Sequence, residues 1–251
     1  MRVPICLSLA LTFAATLAVT DSAEARVHET TTLYVTRGAP LAVVDRAGNI
    51  REASCSARFS RRAGNRLGDE WTRLDEWGRA AESVRVTHSS VYDLSGCREI
   101  ATTGRVDKDD DPALLLRGPR KPSATLPFAC STHAPAPSTI GAKPIVYCTK
   151  DSSGRETVRA VAGGTALVFA HFDRAAAKWV LDRTLSAPAN DKPTPESAAF
   201  KVVAVLDMNG DGSPEIVVHS RRSDTYADTV YTMDAGAGIP RRIVETGGGY
   251  A

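Results

Sequence analysis

A chain of 251 residues, 43% of them hydrophobic, is long enough for one large domain or two small ones with a real apolar core. Its 31 Lys and Arg nearly balance its 29 Asp and Glu, for a net charge of +2. That balance argues against nucleic acid as a partner, since a phosphate-binding surface needs clustered positive charge; the one cluster, Arg58, Arg61, Arg62 and Arg66, reads as a solvated face.

Residues 1–25 read as a secretory signal peptide: Arg2 is followed by an apolar stretch from Val3 to Val19, and Ala23 and Ala25 stand in the A-x-A spacing that signal peptidase cuts. The apolar stretch is interrupted by Pro4, Thr12 and Thr16 and falls short of the roughly 20 residues of a spanning helix. The mature chain is therefore expected to begin at Arg26, to have no membrane span, and to be secreted or periplasmic. Cleavage removes Cys6 and leaves Cys55, Cys97, Cys130 and Cys148, an even set that suits two disulfides in an oxidising compartment. Pairing in chain order, Cys55 with Cys97 and Cys130 with Cys148, closes the shortest loops, and each bridge would contribute about 3 to 4 kcal/mol. No C-x-x-C pair supports a zinc site.

From Arg26 onward, short β-branched and aromatic runs alternate with turn residues, and almost no stretch holds a helical period. A β-rich region over 26–126 is expected to contain strands at Thr31 to Thr36, Leu41 to Val44, Ser83 to His88 and Ile100 to Val106. Asp69 to Glu82, with Trp71 and Trp77, fits either a short helix or a decorated loop. Residues 127–144 are rich in Pro, Ala, Ser and Thr and read as a linker or long surface connection. The C-terminal β domain, 145–251, is expected to hold strands at Ile145 to Thr149, Thr157 to Val161, Ala166 to Phe172, Lys178 to Asp182, Phe200 to Leu206, Glu215 to Ser220, Thr229 to Asp234 and Arg241 to Glu245. A Pro-rich loop is expected at Ser186 to Pro195. The fold class is mainly β: antiparallel sheets, as a sandwich or a propeller-like fragment, stapled by two disulfides.

One segment carries recognisable chemistry. Two apolar runs, Val202 to Leu206 and Ile216 to Val218, bracket a loop in which Asp207, Asn209, Asp211 and Glu215 offer side-chain oxygens. Calcium takes six to eight oxygen ligands, and alternate side chains of a tight loop can wrap around it. Gly210 and Gly212 permit the backbone path, Ser213 would give its carbonyl, and Glu215 a carboxylate. An EF-hand begins with the same D-x-N-x-D-G, but its twelfth position here is Val218, which cannot bind the ion, and the flanks read as strands. The segment resembles the FG-GAP or VCBS type of calcium-loop repeat, D-x-[DN]-x-D-G-x-x-[DE], which lies between adjacent strands, commonly in β-propeller blades. The resemblance covers about twenty residues in a single copy. It implies a metal-binding set of Asp207, Asn209, Asp211, Ser213 and Glu215, with Gly212 as the turn residue. Asp107, Asp109 and Asp111 repeat the spacing, but the glycines are missing and Leu115 stands where Glu215 would be matched, so this stretch reads as a plain acidic loop.

Catalytic signatures are absent from the sequence. His28, His88, His133, His171 and His219 are scattered without H-x-x-x-H spacing, and there is no G-x-S-x-G, P-loop or G-x-G-x-x-G. A triad assembled from distant residues leaves no such trace. The sequence thus points to an exported calcium-binding β-rich protein, a non-enzymatic binding or structural module for a protein or carbohydrate ligand. The competing expectation is an exported hydrolase with a structural calcium site.

Overall fold

The computed structural model of the protein describes residues 31–35, 40–53, 66–91, 98–103, 113–118, 123–124, 145–150, 156–162, 166–173, 175–186, 200–221, 225–233 and 240–249. These form sixteen strands, every pairing antiparallel, and no helix occurs among the described residues. The mainly β, antiparallel expectation is therefore met. The leader, the 127–144 connection, Asp107 to Asp111, Cys55, Cys97 and Cys130 lie outside the described residues. The Cys148 backbone sits opposite Val158, while its side chain lies outside them.

A first sheet of seven strands is built from β1 (Thr31–Val35), β2 (Pro40–Val44), β3 (Ile50–Glu52), β4 (Glu70–Leu74), β5 (Ala80–Val91), β6 (Arg98–Thr102) and β7 (Leu114–Arg117), in the order β3-β2-β1-β7-β4-β5-β6. Two meanders thus flank β7, whose three leucines serve both faces: Leu114 and Leu116 enter one core cluster, Leu115 the other. Asp69 to Glu82, ambiguous in sequence, is neither helix nor irregular loop but the β4–β5 hairpin. Its turn is fixed by chemistry the sequence carries. Asp75 Oδ1 accepts hydrogen bonds from the backbone N–H groups of Trp77 and Arg79 at 2.9 and 2.8 Å, and Gly78 takes φ +76°.

A meander of four strands follows, β9 (Ile145–Lys150), β10 (Glu156–Ala162), β11 (Ala166–Asp173) and β12 (Lys178–Ser186). The last sheet is a second meander, β13 (Phe200–Asp207), β14 (Glu215–Arg221), β15 (Thr225–Met233) and β16 (Pro240–Gly249), extended beyond β13 by the two-residue β8 (Ser123–Ala124).

Both faces of this five-stranded sheet are covered. On one face Val203, Leu206, Val217, Val230 and Val244 pack with Leu33, Leu41, Leu74 and Leu114 of the first sheet. On the other, Val202, Val205, Ile216, Val218 and Tyr231 meet Leu167 and Phe169 of β11, with the Phe169 and Tyr231 ring centroids 5.2 Å apart. Burial on two sides accounts for the unbroken apolar runs Val202 to Leu206 and Ile216 to Val218, since a sheet wetted on one side would alternate. A register shift between Val202 and Ala204 places Val203 and Ala204 on the same face. Each fully buried aliphatic or aromatic side chain contributes about 1.5 to 3 kcal/mol, so this middle layer is the principal source of cohesion.

The β4–β5 turn docks on the middle layer just before the acidic loop. Val205 donates its N–H to the Glu76 carbonyl at 2.8 Å, Trp77 packs beside the Leu167 and Phe169 core, and Gly78 faces Leu206 so closely that an added Cβ would lie 2.5 Å from the Leu206 Cβ. Lys201, half-buried at this junction, has its ammonium pKa lowered by burial, with the Glu76 carboxylate opposing that shift. No helix among the described residues is long and apolar enough to cross a membrane.

Candidate functional site

The turn joining β13 to β14 runs from Asp207 to Glu215 and holds all five residues expected to bind metal. Asp207 is the last residue of β13, and Glu215, the first of β14, pairs with Leu206. The two strands therefore bring both acidic ends of the loop to the same rim of the middle layer. Gly210 and Gly212, at φ +76° and +84°, turn the backbone through the left-handed region that glycine enters without a Cβ penalty.

This path aims backbone amides inward at the first carboxylate. Asp207 Oδ1 accepts from the N–H groups of Gly210 (2.6 Å) and Asp211 (3.2 Å), and Oδ2 accepts from Gly212 (2.9 Å). Glu215 reaches back across the loop, where its Oε2 accepts the Met208 N–H at 2.7 Å. Asp207 and Glu215 are buried, 9% and 1% exposed, as is Ser213. Asp211 is exposed; its Oδ1 accepts from the Ser213 N–H at 2.7 Å and its Oδ2 from the Asn209 side-chain amide at 3.0 Å. The Asn209 Oδ1 in turn accepts the Asp211 N–H at 3.0 Å.

Three carboxylates, an amide and a serine thus lie within nine residues, with no Lys or Arg between them in sequence. The donor set is oxygen throughout, the chemistry that suits a hard divalent cation and not zinc or copper. In this arrangement the oxygens are engaged by the loop's own N–H groups, and among the described residues no three His, Cys, Asp or Glu side chains are gathered into a metal-holding cluster. Asp207 and Glu215, at the two ends of the loop, are buried, whereas Asp211 between them is exposed.

A second polar constellation was not legible in the sequence. His219 on β14 stands opposite Asp228 on β15, and its Nδ1 lies 2.7 Å from Asp228 Oδ1. Asp228 is completely buried, and burial raises its carboxyl pKa against the opposing pull of the His219 hydrogen bond and charge. The Tyr226 ring stacks on the imidazole, with centroids 6.0 Å apart. His219 and Asp228 stand nine positions apart, and only the hairpin register brings them together, so no spacing motif could have revealed the pair. Among the other histidines, His88 is exposed on β5, the backbone of His171 lies on β11, and His28 and His133 lie outside the described residues. The chain matches no family model, no curated protein and no solved structure.

Proposed function

We propose that this is an exported calcium-binding β protein, a non-enzymatic binding or structural module in which the Asp207 to Glu215 loop holds one calcium ion. The observation that carries the reading is the burial of Asp207 and Glu215 at the two ends of one glycine-turned loop, each accepting that loop's own N–H groups, in a segment whose sequence resembles the FG-GAP or VCBS repeat. Asp207, Asn209, Asp211 and Glu215 would supply side-chain oxygens and Ser213 its carbonyl. Calcium would supply positive charge to a segment that has three negative charges and no basic residue.

The role is structural. The loop sits at the rim of the middle layer, beside the docked β4–β5 turn, so an ion there would hold β13 and β14 in register against both neighbouring sheets. Export rests on the Arg2 to Ala25 pattern, and the chain-order disulfides Cys55–Cys97 and Cys130–Cys148 on the even cysteine count. The two successive four-stranded meanders suit a propeller-like fragment as well as a layered sandwich, and their outer surfaces are where a protein or carbohydrate ligand would bind. At an affinity near 10⁻⁴ M, millimolar calcium would add about 1.4 kcal/mol of stability.

Substituting Asp207 and Asp211 together by Ala tests the reading. The doubly substituted protein is expected to unfold at the same temperature in calcium and in chelator, whereas the wild type unfolds at a higher temperature in calcium. A wild type indifferent to chelator refutes the assignment.

A further inference from the structure

The row formed by His219, Asp228 and Thr246 has no part in the calcium reading. The strand registers place His219 opposite Asp228 and Asp228 opposite Thr246, so the three residues cross β14, β15 and β16 side by side. Each lies two positions from a valine of the face that packs on the seven-stranded sheet, Val217, Val230 and Val244 respectively. Side chains alternate along a strand, so the row continues that buried face. Asp228 is fully buried and Thr246 nearly so, and the Asp228 Oδ2 and Thr246 Oγ1 atoms are buried without a hydrogen-bond partner.

A carboxylate at this depth is strongly disfavoured unless a charge or a proton compensates it. Two arrangements satisfy the row: a charged imidazole beside a carboxylate, or a neutral imidazole beside a carboxylic acid. A proton held at the buried Asp228 carboxyl is one that the same carboxyl, unfolded into water, gives up at its ordinary value. We infer that His219, Asp228 and Thr246 form an acid-favoured fastener across the last three strands, so that closing the middle layer takes up a proton and the layer loosens as the medium turns alkaline.

The sign follows from the buried acid. A carboxyl whose pKa is raised on folding contributes stability that is fully present below the unfolded value of 3.8 and is lost as the pH rises through the folded value. Across the strands Asp228 is met by the titratable His219 of β14, through the 2.7 Å contact and, when the imidazole is protonated, its charge. From β16 the row receives the uncharged Thr246, and on β3, which packs against β16, the charged Arg51 and Glu52 are exposed to solvent.

Thermal unfolding of the full chain between about pH 4 and about pH 8, in constant chelator, tests this independently of the calcium loop. The comparison is with Asp228→Asn, which keeps an acceptor for His219 but carries no titrating proton, and with Asp228→Thr, a β-branched residue suited to a buried strand position. For whichever variant folds, the melting temperature of the wild type minus that of the variant is expected to fall by several degrees as the pH rises. A difference that stays constant, or grows with pH, overturns the fastener and leaves the calcium assignment untouched.

Discussion

Two glycines at nearly the same backbone angle separate steric from conformational cost. Gly78 and Gly210 both have φ +76°, but a Cβ on Gly78 would collide with Leu206, whereas one on Gly210 would meet nothing within 4 Å. Gly210→Ala is therefore expected to cost about 1 to 2 kcal/mol, the penalty of the left-handed region alone. Gly78→Ala is expected to cost at least about 2 kcal/mol more, because the Leu206 Cβ is held in the core and cannot withdraw. Chemical denaturation of the two variants measures both, and equal losses would show that the β4–β5 turn does not dock on β13. At the loop, Glu215→Gln keeps an acceptor for the Met208 N–H but removes a charge. Calcium affinity, read by calorimetric titration, is expected to fall at least about tenfold, or ~1.4 kcal/mol.

Elements were legible in the sequence where local pattern and tertiary burial agree. β13 and β14 announced themselves because burial on both faces demands the unbroken β-branched and aliphatic runs that the sequence displays. The loop between them was readable for the same reason, since strong strands on both sides leave Asp207 to Glu215 nowhere to be but in a turn. β4 was ambiguous because Trp71 and Leu74, both buried, stand three apart, a helical spacing; in the strand that odd spacing puts them on opposite faces, Trp71 clustered with Leu115 and Leu74 with Leu114 and Leu116. β7 was missed because four residues after an acidic stretch show no period, and only insertion between β1 and β4 makes them a strand. The 2.7 Å contact of His219 with Asp228 depends on hairpin register and was invisible for that reason. The Phe169 ring, together with Leu167, ties β11 to the middle layer. Phe169→Ala is expected to destabilise by about 3 to 5 kcal/mol, seen as a lower denaturation midpoint.

For the whole molecule, the consequence of a shared middle layer is cooperativity. The seven-stranded and four-stranded sheets each pack on opposite faces of the same five strands, so neither core can dissolve without exposing the other's partner residues. Far-ultraviolet and tryptophan signals are expected to report one coincident thermal transition; two separated transitions would mean that the layers are independent. The acidic loop lies at the rim of that middle layer, and stabilisation gained there is transmitted to the single transition. The most direct measurement is therefore the melting temperature of the wild type in millimolar calcium against the same protein in chelator. An increase of about 3 to 6 °C in calcium, absent when Asp207 and Asp211 are both Ala, is the predicted result. Identical unfolding curves for the wild type in both solutions would contradict it.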